Sequence, residues 1–143
     1  MIHKMEITVD VIVHATEDIL RIFQSFEDYL DLKESDFTVN ETVGHFENPI
    51  TILNVKIVKK QAHNFMRKLL GLLSAKQINQ LVKEIEERTE DSRFHMRIDK
   101  QELIKGNIVV SEKETVKVKI HTPIYNKKDT IKIFTEIFQC HLG

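Results

Sequence analysis

The sequence is poor in cysteine and has no long apolar run, and both absences narrow what the protein can be. A single cysteine among 143 residues cannot form an internal disulfide, the bond that stabilises many small secreted domains. No apolar run approaches the roughly 20 residues that a membrane-spanning helix needs, and the opening residues, MIHKMEITVD, lack the apolar core of a secretory signal. We therefore expect a cytoplasmic protein with no membrane partner.

The short motifs that mark many catalytic and cofactor sites are also missing. The chain contains no G-x-G-x-x-G, no G-x-x-x-x-G-K-[ST], no G-x-S-x-G and no C-x-x-C. Its seven histidines show no metal-ligand spacing such as H-x-x-x-H. Carboxylates are numerous, but no pair stands out as a general acid and a general base. We therefore expect a protein that is not an enzyme and that uses no cofactor and no metal ion.

Charge is distributed unevenly along a chain of ordinary globular composition. The hydrophobic content of 41% and the charged content of 30% are those of a folded protein. The formal net charge of −1 argues against a strongly basic nucleic-acid binder. However, residues 1–47 hold eleven acids and three bases, whereas residues 48–83 hold seven bases and no acid. This asymmetry indicates one side that faces a polyanion and another that faces solvent.

Hydrophobic periodicity predicts ten elements in the order β-α-β-β-α-α-β-β-β-α. Apolar residues alternate with polar ones from Met5 to Val13, which is typical of a strand, and they follow helical spacing from Ile19 to Leu30. The predicted strands cover residues 5–13, 36–43, 50–58, 93–101, 108–111 and 116–120. The predicted helices begin after Thr16, at Lys59, after Ser74 in the capping-box pattern SAKQ, and at Asp129 or Thr130.

This order of elements predicts an α+β fold. Short turns between consecutive strands favour antiparallel pairing. Helices that follow the first strand and separate the two later groups of strands are expected to pack on one face of the antiparallel sheet. The chain shows no internal repeat, low-complexity run or linker, so we predict a single domain over residues 1–143.

Two predicted strands carry basic residues on the side that faces away from the core. In RFHMRIDKQ, residues 93–101, and in TVKVKIH, residues 115–121, apolar residues alternate with basic ones. If both strands belong to one sheet, its exposed face suits a phosphate backbone, because each cation near a phosphate releases condensed counterions. The basic residues of this predicted surface are Arg93, Arg97, Lys100, Lys117 and Lys119.

A solvated sheet face with weak cross-strand ion pairs is the alternative interpretation of these strands. Asp99, Glu112 and Glu114 are available as the acidic partners. The face also lacks aromatic residues, so it does not resemble a platform on which single-stranded bases stack. The two strands alone leave the choice between these interpretations open.

A second basic cluster lies in KIVKKQAHNFMRK, residues 56–68. Lys60 and Arg67 are seven residues apart and share a helix face, next to Lys68. Lys59 and Lys60 lie at the predicted helix start, where exposed amides add to the attraction for a phosphate. A solvated helix face is again the alternative interpretation.

The turn-rich segment GHFENPI, residues 44–50, connects two predicted strands. Its histidine and amide side chains, His45 and Asn48, are placed to contact an RNA sugar or phosphate. A plain structural turn is the simpler interpretation, since Gly44 and Asn48-Pro49 are turn signals.

Several of these segments resemble a family of small archaeal proteins known as RNA-binding proteins and proposed exosome subunits. GHFENPI is similar to the family's loop motif, and MRIDKQ at 96–101 is similar to a later motif. VIVHATED at 11–18 and LLS at 72–74 are similar to its opening and middle. The resemblance implies RNA association without catalysis, a link to RNA-processing or degradation machinery, and a fold similar to ribosomal protein "L five".

The resemblance also carries over to individual positions. The loop motif is filled by Gly44, His45, Asn48 and Pro49, and the later motif by Arg97, Asp99, Lys100 and Gln101. This chain departs from the family where Phe46 and Glu47 replace a polar residue and a glycine. The added charge and the lost backbone freedom at Glu47 predict weaker or altered contact between this loop and phosphate.

Together, these patterns predict a non-enzymatic protein that binds structured RNA through phosphate contacts and shape. Double-stranded RNA is recognised largely through phosphates and 2′-hydroxyls, which requires cations more than aromatic side chains. The alternative is a protein–protein interaction module, either a homodimer or an adaptor in an RNA-processing complex, without RNA binding. The near-neutral charge and the acidic first block favour that alternative. An enzyme is the least favoured of the three.

Overall fold

The chain forms six strands and six helices in the computed structural model, which describes residues 3–113 and 116–140 without the side chains of His45 and Cys140. The strands are β1 Glu6–His14, β2 Thr38–Val43, β3 Pro49–Val58, β4 Thr89–Glu90, β5 Arg93–Ile98 and β6 Val116–His121. The helices are α1 Ile19–Leu30, α2 Lys59–Leu72, α3 Ala75–Lys83, α4 Ile85–Arg88, α5 Lys100–Ile104 and α6 Thr130–Cys140.

The strands form one antiparallel sheet in the order β2-β3-β1-β6-β5-β4. β1 lies near the centre and pairs with β3 over nine positions and with β6 over five. Because side chains alternate along a strand, Ile7, Val9, Val11 and Val13 all point to one face of the sheet. Each of these four residues is at most 3% exposed.

Helices cover this apolar face of the sheet. α2 packs against β1 and β3, and α6 contacts β5 through Phe134 and Phe138, whose rings lie 5.6 and 5.0 Å from that of Phe94. We call this side the covered face. On the other side, the open face, none of the described strand side chains is buried. The predicted α+β class, with an antiparallel sheet and helices on one face, is confirmed.

Two helix starts differ from the predicted capping. Asp18, not Thr16, caps α1, since its carboxylate accepts hydrogen bonds from the amides of Leu20 and Arg21. Ser74 caps α3 as predicted, accepting a hydrogen bond from the amide of Gln77 at 3.1 Å. The Gln77 side chain does not return the bond to Ser74. Instead it donates to the carbonyl of Ile108 and accepts from the amide of Val110, which anchors the segment before β6.

The strand predicted over residues 93–101 ends at Ile98, and this corrects the sequence-based prediction. Asp99 stops the strand because its carboxylate accepts a hydrogen bond from the amide of Glu102 at 2.9 Å and so caps α5. The strand predicted at 108–111 is also wrong. That segment makes a single bridge, between Val110 and Ile98, and β4 occupies the sheet edge in its place.

Among the described residues, no helix combines the length and the apolar character needed to cross a membrane.

Candidate nucleic-acid interface

On the open face of β5 and β6, basic side chains lie directly opposite one another at three successive positions. Side chains in such cross-strand pairs are about 5 Å apart at Cβ, and like charges at that distance destabilise the sheet. The pair of Arg97 and Lys117 therefore costs folding free energy at neutral pH, and the two pairs that contain a histidine add to this cost when the imidazole is protonated. The facing pairs are Arg97 and Lys117, His95 and Lys119, and Arg93 and His121.

Acidic residues of the first block reach the open face on β1, but other residues hold them. Glu6 lies 2.6 Å from the ammonium of Lys56 and 3.8 Å from the imidazole of His121. Asp10 accepts a hydrogen bond from the side-chain amide of Asn54. The ammonium of Lys56 offsets the charge of Glu6, whereas the amide of Asn54 binds Asp10 without offsetting its negative charge.

The arginines and lysines on β5 and β6 form no ion pair within the described part of the chain, although Asp10 lies opposite Lys117 across the β1–β6 ladder. Arg97, Lys117 and Lys119 form no ion pair there, and the guanidinium of Arg93 donates to the backbone carbonyl of Asp91 at 3.1 Å. The uncompensated positive charge is therefore concentrated on the outer two strands of the open face, where a phosphate would meet at least three cationic groups.

The histidines of this surface are affected by that positive charge. Partial burial and the nearby ammonium of Lys119 hold the pKa of His95 below its usual value, and Lys117 and Arg93 act in the same direction. Partial burial and Arg93 likewise lower the pKa of His121. Both imidazoles are therefore mostly neutral at pH 7, since the usual histidine pKa is about 6.5. A phosphate bound beside them would act in the opposite direction and raise the pKa of both histidines.

Lys100, in contrast, belongs to the interior, which corrects its predicted place on the exposed surface. Its side chain is about 5% exposed, and its ammonium donates to the carbonyl of Ile12 at 2.6 Å and to Glu17 at 2.8 Å. Burial raises the pKa of Glu17, but hydrogen bonds from the amide of His14 and from Lys100 outweigh it, so the net pKa is lowered. Gln101 donates to the other carboxylate oxygen of Glu17 at 3.0 Å. This part of the later motif therefore ties α5 to the start of α1.

The basic cluster of α2 lies on the covered side of the molecule. Asn64 donates to the carboxylate of Asp31 at 2.7 Å and accepts from the guanidinium of Arg67. Gln61 donates to Asp36 at 3.4 Å. Acids of the first block therefore flank the exposed side of α2, and the cluster does not merge with the cations of β5 and β6.

The start of α2 is more cationic than its middle. Lys59 and Lys60 are exposed and line a cavity of about 490 Å³ together with His3, Lys4 and His63. This cavity lies where β3 ends and α2 begins, since Lys59 directly follows Val58. Of the four basic residues predicted on α2, these two lie next to the end of β3, whereas Arg67 and Lys68 lie farther along the helix.

The loop motif lies at the tip of the β2–β3 hairpin. The amide of Gly44 donates to the carbonyl of Asn48 at 2.8 Å and closes the turn, and Asn48 is exposed. Phe46 and Glu47 have φ values of 58° and 60°, in the left-handed region that favours glycine, which agrees with the glycine expected in place of Glu47. The predicted contact from His45 lies outside the described residues, because the structure does not describe its side chain.

Over residues 3–113 and 116–140, no three histidine, cysteine, aspartate or glutamate side chains come together in a way that could hold a metal ion.

Comparison with known proteins places the chain in a family. A family model described as RNA binding matches residues 6–122. The chain belongs to this family. It is 34% identical to the uncharacterized protein MJ0213 of Methanocaldococcus jannaschii, over 96% of this chain and 97% of that protein. It is 30% identical to the RNA-binding protein PAB1135 of Pyrococcus abyssi, over 91% of this chain and 90% of that protein. The resemblance to a family of archaeal RNA-binding proteins is confirmed.

Solved structures share the fold over nearly the whole chain. The crystal structure of protein AF2318 from Archaeglobus fulgidus superposes with a TM-score of 0.80 at 24% identity, covering 94% of this chain and 99% of that one. Mth689 from Methanothermobacter thermautotrophicus superposes with a TM-score of 0.77 at 19% identity, covering 96% and 99%. At these identities the likeness concerns the fold alone.

Sequence reasoning missed a groove at the end of the open face nearest the hairpin tip. The cavity measures about 540 Å³, and its lining includes Ile12, Ile52, Asp10, Arg97 and Lys117. A signal for it was present in the sequence. Ile12 and Ile52 occupy strand positions that alternation assigns to the open face, where polar residues are the rule.

Proposed function

We propose that this protein binds structured RNA, without catalysis, through phosphate contacts on the open face of β5 and β6. The observation that carries the proposal is the run of three cross-strand pairs of basic residues, in which Arg97, Lys117 and Lys119 form no ion pair among the described residues. Membership of a family described as RNA binding supports it, as does the relative named RNA-binding protein PAB1135.

The geometry of the sheet suits a phosphate backbone. Neighbouring strands are about 4.8 Å apart, and side chains on one face repeat about every 6.8 Å along a strand. Arg93, Arg97, Lys117 and Lys119 therefore form a small cationic grid across two strands. Arginine can bind a phosphate with two parallel hydrogen bonds, whereas lysine acts as a point charge. Such a surface recognises the shape of the RNA backbone rather than the sequence of its bases.

Not every predicted contact enters this proposed interface. We include Lys59 and Lys60, together with His45 and Asn48 at the hairpin tip, as secondary contacts. Lys100 is left out because its ammonium is buried and bound to Glu17. We also leave out the α2 residues Arg67 and Lys68, which lie on the covered side.

We further propose that the chain acts as a single domain within RNA-processing or degradation machinery, with a fold akin to ribosomal protein "L five". The family resemblance supports this wider role. Its test is co-purification of the protein with a degradation complex from its source cells, before and after treatment with ribonuclease. A protein that fails to co-purify with the complex, both before and after the treatment, would contradict this wider role.

The RNA proposal is tested by binding to a hairpin RNA at about 50 and about 200 mM salt. We expect affinity to fall as salt rises. Arg97→Ala with Lys119→Ala should weaken binding by at least about tenfold and should flatten the slope of log affinity against log salt by about 1.4 to 1.8, since each phosphate contact contributes about 0.7 to 0.9.

The matched control is Lys76→Ala with Lys83→Ala on α3, which changes the net charge by the same amount on the covered side. Both lysines are exposed, and we expect this variant to bind like the wild type. Absence of binding at low salt, or an affinity that does not depend on salt, would rule out the proposal.

A second candidate function is homodimer formation through β2. This strand lies at the sheet edge, all six of its residues are exposed, and no described strand pairs with its outer side. Val39 and Val43 are 47% and 62% exposed there, and such an edge can pair with a second copy. Light scattering should then report a dimer that Asn40→Pro converts to a monomer, whereas a wild-type monomer would exclude this candidate.

A further inference from the structure

We propose that the groove beside Arg97 and Lys117 holds one unpaired nucleotide of an RNA, with its base lying on Ile12 and Ile52. This inference rests on the RNA binding proposed above and adds which part of the RNA the groove selects. The cavity of about 540 Å³ lies within the range of about 300 to 1,000 Å³ typical of small-molecule sites. It therefore has room for more than a single phosphate group.

The floor of the groove is an aliphatic pair on a polar face. Ile12 and Ile52 face each other directly in the β1–β3 ladder, so their Cβ atoms lie about 5 Å apart. Ile12 is 47% exposed, and Ile52 is partly exposed. Two adjoining branched side chains present a broad apolar surface that a planar base can cover on one side. A phosphate group gains no binding energy from contact with such an apolar surface.

Cations lie one row away from this floor. Asp10 is two positions before Ile12 on β1, opposite Lys117, which in turn lies opposite Arg97. Two residues along a strand span about 6.8 Å, so a phosphate bound by Lys117 and Arg97 leaves its own base within reach of the two isoleucines. The arrangement is complementary to a nucleotide, with charge at one end and apolar surface at the other.

Asp10 indicates which bases the groove prefers. One of its carboxylate oxygens accepts a hydrogen bond from Asn54, and a carboxylate can accept several more. A carboxylate repels a backbone phosphate, but it accepts hydrogen bonds from exocyclic amino groups such as that of cytosine. We therefore expect bases that carry an amino group to bind more tightly than uracil.

The walls of the groove favour an unpaired nucleotide over a base pair. Glu112 and Lys113 also line it, and an ion pair of 2.7 Å with Arg88 holds Glu112 in place. A base inside a duplex is stacked and paired, so it reaches such a pocket only after extrusion, at a cost that an already unpaired base avoids. RNA bulges and ends supply bases of that kind.

The test compares a perfect RNA duplex with the same duplex carrying one bulged cytidine or one bulged uridine. The wild type should bind the cytidine bulge about tenfold more tightly than the perfect duplex, because the bulge adds an apolar contact with the base and a hydrogen bond to its amino group. Ile12→Ser with Ile52→Ser should abolish that gain and leave perfect-duplex binding unchanged. Asp10→Asn should reduce the preference for cytidine over uridine.

Val58→Ser is the matched control, since Val58 is also an exposed apolar residue on the open face of β3, at 46% exposure, but lies at the far end of the strand. It should behave like the wild type. If the isoleucine variant fails to bind even the perfect duplex, the Asp10→Asn comparison decides the question by itself, because that variant keeps the apolar floor.

Three outcomes would overturn the inference in distinguishable ways. Equal affinity for all three RNAs removes the nucleotide site and leaves the proposed function standing. Binding to none of them refutes both proposals. Displacement of the bulged RNA by free cytidine monophosphate at comparable affinity would assign the groove to a free nucleotide rather than to RNA.

Discussion

The open face of β5–β6 and the exposed side of α2 are both rich in basic residues, but the fold surrounds them differently. On β5 and β6, cations face other cations across the ladder, as Arg97 faces Lys117. On α2, Asn64 links Arg67 to the carboxylate of Asp31, and Gln61 bonds to Asp36. The density of basic residues in a sequence therefore does not identify a binding surface. The net electrostatic field of a surface depends on the acids that the fold places beside its basic residues.

The position of the first block explains this difference. Five of its eleven acids lie on α1 and in the segment that follows it, and α1 packs against α2. Acids of the first block therefore lie beside the acid-free second block. Only the acids carried by β1 reach the open face, and Glu6 and Asp10 are held there by Lys56 and Asn54.

The largest expected effect is a loss of stability, and it distinguishes the buried Lys100 from the lysines of the open face. Lys100→Met leaves the carboxylate of Glu17 and the carbonyl of Ile12 without their buried partner, so we expect a loss of about 3 kcal/mol or more in the free energy of unfolding. Urea denaturation measures it, with Lys119→Ala as the control that should change stability little. Similar unfolding midpoints for the two variants would show that Lys100 is not structural.

A matched pair of double variants then tests the comparison between the two basic regions. Arg97→Ala with Lys119→Ala should lower RNA affinity at least about tenfold more than Lys60→Ala with Arg67→Ala, since phosphate contacts each contribute roughly 1 kcal/mol or more. Both variants remove two charges, and binding is measured at one fixed salt concentration. Equal losses would mean that RNA contacts both regions alike.

Removing a cation from β6 should stabilise the free protein slightly. Lys119 faces His95 across the ladder and lies close to Lys117 and Arg93. Lys119→Thr should therefore raise the free energy of unfolding by about 0.3 to 0.5 kcal/mol. The control is Lys56→Thr, which loses an ion pair with Glu6 and should bring no gain. A loss of stability in Lys119→Thr would show that repulsion between Lys119 and its basic neighbours does not destabilise the fold.

The smallest expected effect is a pH dependence that differs in sign between stability and RNA affinity. The pKa of His95 is lower in the folded protein than its usual value, so the unfolded chain binds more protons and stability falls as pH drops below about 6.5. A phosphate near His95 raises that pKa, so RNA affinity should rise over the same range. His95→Gln should weaken both trends, and parallel trends in the wild type would contradict this assignment.

Much of the fold follows from sequence periodicity, because the spacing of apolar residues directly reflects which side of an element is buried. The alternation from Met5 to Val13 predicted β1 and its buried side, and the spacing after Lys59 predicted α2. The exception lies after Ile98, where one side-chain hydrogen bond from Asp99 ends the alternating pattern and starts a helix. A local cap of this kind competes with the strand pattern in a way that periodicity does not register.

Alternation in the sequence assigned Arg93 and Arg97 to the polar side of one strand and Lys117 and Lys119 to the polar side of another. The four residues share one exposed face because β5 and β6 pair in the folded sheet. Only the tertiary structure decided which charges this face contains. Pairing of β6 with both β1 and β5 sets its cations beside other cations on one side and beside Asp10 on the other. The same packing buries Lys100 against Glu17, since a lysine two residues beyond the end of a strand is positioned by the neighbouring helices and not by the alternation of the strand.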